Sequence, residues 1–401
     1  MMIRNKLFGD GIHDDTKAIQ ALIDNAGAEL RLPMPKVRYL ISAPLELPSN
    51  FKLILPRFAE IKLKKGSDCV MVKNKTVKDY QIRTDQDLYE FVNEYSYDDP
   101  CENIELEGGI WNFNNMEQSP NPIYTNVYEP KGYGGFPILF YNVRNLRVSS
   151  LTVKDPTTYA IIFDRVSYFT VDNILFDFNY GNPIAMNMDG VHLNGNCHFG
   201  TITNLKGTCY DDLVALNADE GSKGPISNIE IRGLYAENCH SAARLLSANY
   251  PVSNIHISDV YGTYFQYCLG LTRFYETKDR GVFDGITFEN IYASKAERLD
   301  VYGKKGTYVY PLIWVQSKLL VKGLSVENLH RREYNTPVET FYVGEETDVE
   351  QLCLKNITTE NYVGGEMPFF VNCGKVKYLH ADHLFEEDGP VDLEKYGLIT
   401  N

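Results

Sequence analysis

From about residue 103 the chain repeats one short theme: a turn residue, often Asn or Gly, then alternating apolar and polar positions, then Asn or Asp, then a further apolar pair. It appears as Asn103-Ile104-Glu105-Leu106-Glu107-Gly108, Asn145-Leu146-Arg147-Val148-Ser149, Tyr168-Phe169-Thr170-Val171-Asp172-Asn173-Ile174 and Asn228-Ile229-Glu230-Ile231-Arg232-Gly233. It returns at Asn254-Ile255-His256-Ile257, Gly285-Ile286-Thr287-Phe288, Gly323-Leu324-Ser325-Val326 and Gln351-Leu352-Cys353-Leu354. Alternation with period two reads as strand, apolar side inward and polar side outward. Asn at the bend tolerates a left-handed backbone and can hydrogen-bond to the Asn of the next turn of chain, which explains its recurrence. The pattern predicts an all-β solenoid that folds back on itself roughly every 22 to 31 residues, in roughly ten coils.

One segment breaks the pattern. Asp14-Asp15-Thr16-Lys17-Ala18-Ile19-Gln20-Ala21-Leu22-Ile23-Asp24 carries apolar residues at helical spacing behind an N-cap candidate, Asp14 or Asp15. A short helix there is expected to cap the open end of the solenoid core, with residues 1–30 as the cap. Residues 74–102 are polar and weakly periodic and read as an insertion, residues 103–385 as the main coils and 386–401 as a tail. Long loops are expected at 110–137 and 300–315. No stretch rich in Gly, Ser or Pro divides the chain, so residues 1–401 are expected to form a single domain.

Composition narrows the partners. With 401 residues, 44% hydrophobic, and a net charge of −14, the chain can bury a large core and carries an excess of acidic over basic residues. A nucleic-acid backbone and an anionic membrane are therefore not expected partners. The eight cysteines include no CxxC pair and no Cys/His cluster at zinc spacing, so no metal is expected. Cys209, Cys239 and Cys268 recur about one coil apart and read as stacked, reduced packing residues. No apolar run reaches the length of a membrane span. Residues 1–9 lack the apolar core of a secretory signal, which reads as cytoplasmic, although a chain trimmed of its leader would read the same.

The candidate chemistry lies in two segments about one coil apart, Asn187-Met188-Asp189-Gly190 and Tyr210-Asp211-Asp212-Leu213. If the chain winds, Asp189, Asp211 and Asp212 share one exposed patch. Glycosidic hydrolysis with inversion uses one protonated carboxyl on the leaving oxygen and one carboxylate holding a water, and crowding of carboxylates raises one pKa. Adjacent strand residues point to opposite faces, so Asp211 and Asp212 can act together only across a bend, which Gly207, Thr208 and Tyr210 make plausible. The competing reading is an Asp-Gly turn and a solvated Asp-Asp strand end. His192 and His198 flank the first segment and His240 and Arg244 the next coil, as candidates to orient the acid or to bind a hydroxyl. Arg244 and Arg273 form either a cationic pocket or ion pairs with nearby acids. Tyr124, Tyr128, Tyr133 and Phe136 in one long connection, and Tyr302, Tyr308, Tyr310 and Trp314 in the other, offer flat rings for sugar faces.

Gly9-Asp10-Gly11-Ile12-His13-Asp14-Asp15-Thr16-Lys17-Ala18-Ile19-Gln20 resembles the GDGxxDDTxAIQ opening of the pectate-lyase-like superfamily. That resemblance implies a single-stranded right-handed parallel β-helix. The central third resembles the family-28 glycoside hydrolases, the polygalacturonases, whose Asn-Thr-Asp-Gly is matched by Asn187-Met188-Asp189-Gly190 and whose Asp-Asp pair by Asp211-Asp212. Carried over, Asp211 is the general acid, Asp189 with Asp212 the base, and Asn187, His192, His240, Arg244 and Arg273 line the substrate, with no cofactor. The family's Gly-His-Gly and Arg-Ile-Lys are not matched: the expected positions read Cys239-His240-Ser241-Ala242-Ala243 and Leu271-Thr272-Arg273-Phe274. Those cations grip a uronate carboxylate, so the subsites are expected to differ. The sequence therefore predicts a glycosidase acting on a carbohydrate substrate. A uronate lyase or epimerase using calcium, or a phage-type carbohydrate-binding spike, are the alternatives.

Overall fold

The computed structural model describes residues 7–77, 80–85, 88–93, 100–121, 135–275, 277, 279–297 and 309–398. The protein is all-β, a right-handed parallel β-helix. It divides into two compact units, residues 1–201 with 220–222, and residues 202–219 with 223–401.

In the first unit the apolar positions of the repeat stack into columns. Phe51, Ile104, Leu146 and Phe169 face one another in parallel register across the strands Phe51–Ile54, Cys101–Glu107, Val143–Ser149 and Ser167–Asp177. A second set of strands carries Leu45, Val72, Ile138, Ile161 and Val191 in one column. All nine side chains are buried. Coils that carry inserted segments are longer than the expected spacing, as between Phe51 and Ile104.

The second unit repeats the scheme. Ile229, Ile255, Ile286, Leu324, Leu352 and Leu379 form one column. Val214, Ala243, Leu269, Ile313, Phe341 and Phe370 form the other. Period-two alternation makes this possible, since every second side chain turns to the same interior.

The bends are held as the repeat predicts. Asn103 donates to Asn50 at 2.6 Å and Asn145 to Asn103 at 2.7 Å in the first unit. In the second, Asn254 donates to Asn228 at 3.1 Å, Asn328 to Asn290 at 3.0 Å and Asn356 to Asn328 at 2.8 Å. All of these residues have positive φ, a conformation in which Asn is strained less than most residues.

The expected helix spans Thr16–Asn25, with Asp15 at the N-cap position. Asp15 makes no side-chain cap bond to the helix and accepts instead from Phe8 and Gly9, while Asp14 accepts from the Thr16 backbone N–H at 2.9 Å. Within 74–102 the chain forms an antiparallel hairpin of strands Tyr80–Asp85 and Leu88–Asn93, a local structure its weak periodicity did not announce. Cys209, Cys239 and Cys268 are reduced and buried, as their spacing predicts, with the Cys209 N–H 3.3 Å from Cys239 Sγ.

Candidate active site

The strand His198–Gly207 ends at a glycine with φ of 122°, the chain bends through Tyr210 and Asp211, and the strand Asp212–Asn217 begins at the second acid. The bend is the interruption of the pleat that two adjacent acids need to act together. Asp212 stands opposite Ser241 in the parallel ladder, which sets His240 beside the pair. Of the segment Cys239-His240-Ser241-Ala242-Ala243, His240 is the residue whose ring meets the pair.

Asp212 is fully buried and richly partnered. The Ser241 hydroxyl donates to its Oδ1, the Tyr267 hydroxyl reaches the same oxygen at 3.3 Å, and Arg244 Nε lies 2.9 Å from Oδ2. Asp211 is slightly accessible, its side chain 7% exposed, and its Oδ1 is 3.5 Å from His240 Nδ1. The ligating atoms of Asp211, Asp212 and His240 all lie within 4.8 Å of one another. Phe265 and Tyr267 meet the His240 ring edge to face at 5.3 and 6.2 Å.

Burial decides the electrostatics here. It pushes His240 down to about 4, so the imidazole is neutral at neutral pH. Burial also raises the Asp212 carboxyl above the ordinary range; the neighbouring Asp211 charge adds to this, and Arg244, His240 and Ser241 act against it. Tyr267 is pushed well above its ordinary value by burial and remains a donor. Two crowded carboxyls titrate as a pair and hold one proton more readily than either alone.

Asp189 belongs to the first unit and has a different setting. It is fully buried, and its Oδ2 is 2.6 Å from His192 Nδ1. The other imidazole nitrogen lies 3.0 Å from Asn194 Oδ1 and 3.0 Å from Glu220 Oε2. Burial alone would lower His192, but the two carboxylates more than offset it and hold it up at about 9. Tyr159 stacks on the ring at 3.9 Å. Beneath this triad Asp164 accepts from Asn194 at 3.4 Å and from the Ser222 N–H at 3.1 Å. The turn there needs Gly221, at φ of +60°, because a Cβ would come within 2.2 Å of Asp164 Oδ2.

The expectation that the three acids lie open on one patch is thus corrected for two of them. Asp189 and Asp212 are both sealed from solvent against cations, His192 and Arg244. Of the two readings open for the arginines, Arg244 takes the ion pair. Arg244 is held by Asp212, whereas Arg273 donates to the Thr277 and Asp279 carbonyls. Asn187 sits half-buried at a left-handed bend with φ of 53°. His198 is half-buried and lowered by burial. Of the aromatic candidates, Phe136 is a core residue stacked with Tyr159 at 6.5 Å rather than a sugar platform. Tyr310 and Trp314 are half-buried, and Tyr124, Tyr128, Tyr133, Tyr302 and Tyr308 lie outside the described residues.

Sequence reasoning missed Glu220, Ser241, Tyr267 and Lys295. Lys295 was findable, since it falls in phase with the inward positions Ile291 and Ala293; it is buried, donates to the Tyr310 carbonyl at 3.0 Å and is lowered by burial to about 7. The others became partners only through the register between coils.

No family model matches the chain, and no curated protein does. Solved structures do. The chain is similar to an endo-xylogalacturonan hydrolase from Aspergillus tubingensis, at 13% identity and a TM-score of 0.60, over 96% of this chain and 97% of that one. It is similar to a hyperthermoactive exopolygalacturonase from Thermotoga maritima at 15% identity, a TM-score of 0.53 and coverages of 94% and 90%. It is also similar to PfbA, a surface adhesin of Streptococcus pneumoniae, at 15% identity, a TM-score of 0.50 and coverages of 95% and 91%. At such identities the likeness is one of fold, and the fold is the right-handed parallel β-helix that family-28 polygalacturonases share with other pectate-lyase-like proteins.

Proposed function

We propose that this protein is a glycoside hydrolase that cleaves glycosidic bonds in a polysaccharide or oligosaccharide by carboxylate acid–base catalysis, with Asp211 as the general acid. The observation that carries this is the asymmetry of the adjacent pair. Asp212 accepts from Ser241 and Tyr267 and pairs with Arg244, all of which favour its anion. Against that pull, burial and the Asp211 charge raise the Asp212 carboxyl, so the pair retains a proton, and Asp211 is the member with the greater side-chain exposure through which a leaving oxygen is reached. Two carboxyls with environments that drive them apart are the usual basis of acid–base assignment. Asp212 is too buried to attack a sugar carbon, which argues for attack by water and inversion of configuration.

A panel of neutral and acidic glycans, assayed by release of reducing ends, tests the reading. Release by the native protein that falls at least a hundredfold in Asp211→Asn supports it; undiminished turnover in that variant removes Asp211 from the mechanism.

One observation favours a second reading, carbohydrate binding without turnover: both acids are nearly sealed, and an adhesin is among the similar folds. Glycan binding with no released ends would select it. A lyase is less well supported, because the candidates for its arginine or lysine base near these acids are engaged: Arg244 with Asp212, Arg273 with the Thr277 and Asp279 carbonyls, and buried Lys295 with the Tyr310 carbonyl. Asp211, Asp212 and His240 are close enough to share a cation, but a site with an imidazole suits calcium poorly.

A further inference from the structure

One outward row crosses the second unit from the candidate acids. The parallel ladder aligns Ala215, Arg244, Gly270, Trp314, Tyr342 and Val371, one from each successive coil. Their strand neighbours Ile313, Val315, Phe341 and Val343 turn inward and are buried, so Trp314 and Tyr342 turn outward, and both are half-buried. The other tryptophan of the chain, Trp111, is fully buried in the core.

The row changes character along its length. Arg244 is its only cation, and that charge is held by Asp212 at 2.9 Å. At Gly270 there is no side chain, and none would fit, because a Cβ would lie 2.8 Å from the Tyr267 ring. That vacancy lets Tyr267 lie over the row, with its hydroxyl on Asp212 and its ring 5.3 Å from Trp314. Tyr310 meets Trp314 edge to face at 4.8 Å and fixes its tilt, while Lys295 holds the Tyr310 carbonyl at 3.0 Å. Strands repeat about every 4.8 Å, so Trp314 and Tyr342 stand roughly 10 and 14 Å along the row from Arg244. Each step is comparable to one sugar unit of an extended glycan.

We propose that this row is a rail for an uncharged glycan chain, with Trp314 and Tyr342 supporting sugar rings two and three coils beyond Arg244. This rests on the hydrolase reading for its orientation toward Asp211 and adds the substrate class. Aromatic faces and edges bind the apolar faces of neutral sugars at low entropic cost. Uronate carboxylates are best held by Arg or Lys, and beyond Arg244 the row presents Gly, Trp, Tyr and Val instead.

Tryptophan fluorescence provides the test, since buried Trp111 leaves Trp314 as the ligand-sensitive emitter. The probes are xylo-, galacto- and gluco-oligosaccharides from monosaccharide to hexasaccharide, and oligogalacturonides of the same lengths, titrated into the full chain carrying Asp211→Asn to suppress turnover. One neutral series is expected to quench emission and to gain about tenfold in affinity between disaccharide and pentasaccharide. Trp314→Ala should weaken pentasaccharide binding about tenfold, measured by calorimetry, with Trp314→Tyr recovering most of it and circular dichroism unchanged. Absence of quenching by every neutral series, affinity independent of chain length, or equal or tighter binding of oligogalacturonides would overturn the rail. Length-dependent neutral binding by a protein that releases no reducing ends would instead overturn the hydrolase reading and leave the rail standing.

Discussion

The outward rows of the two units are each built on a parallel ladder and end differently. In the first unit the row reads Glu46, Lys73, Leu139, Ile162 and His192. Glu46 and Lys73 pair at 3.3 Å, Leu139 and Ile162 join Val70, Val77, Phe136, Tyr141 and Tyr159 in a second apolar cluster, and Tyr159 closes over His192. In the second unit the corresponding row reads Ala215, Arg244, Gly270, Trp314 and Tyr342, and its aromatic residues keep exposed surface. The inward columns are alike in both. Interior alternation therefore builds the coil, while the outward row decides whether a face is sealed or left to meet a ligand. A buried charged histidine in the first unit and a neutral one in the second express the same contrast electrostatically.

The contrast can be broken first at its two acids. Asp189→Asn removes a charge partner of a buried imidazolium and should cost about 3 kcal/mol in urea unfolding, the lower end for such a loss because Glu220 remains. Full stability with lost turnover would move Asp189 from the framework to the chemistry. Asp211→Asn should do the reverse, lowering kcat at least a hundredfold, about 2.7 kcal/mol, with the unfolding midpoint unchanged.

Next comes pH. His192 has its folded pKa raised to about 9, so the stability it contributes is complete below about 6.5 and is lost as pH rises to about 9. His240, lowered to about 4, works in the opposite sense: its burial costs stability as pH falls from about 6.5 toward 4. Unfolding midpoints across that range should fall on both sides, and His192→Gln should flatten only the alkaline side.

The smallest effect tests the bends common to both units. Asn254 has φ of 52° and donates to Asn228, so Asn254→Ala should cost about 1–2 kcal/mol and Asn254→Gly less, because glycine loses the bond without the strain. Equal costs for the two variants would assign the effect to the hydrogen bond alone.

Much of this protein is readable without coordinates because its rules are local. Period two in segments such as Asn254-Ile255-His256-Ile257 turns Ile255 and Ile257 inward whatever the neighbours are, and Asn at the bend adopts left-handed backbone by its own chemistry. The helix at Thr16–Asn25 and the bend before Asp212 follow from residues within a few positions. What the sequence could not supply is the register between coils and the fate of each outward side chain. Whether His240 or Ala242 meets the acids depends on the pairing of Asp212 with Ser241, a contact across 29 residues. Whether Asp189 is solvated or locked to His192, and whether Arg244 is free or held by Asp212, depends on burial. Burial belongs to the packed coil and not to any one strand, and it sets the charge of every group in these clusters.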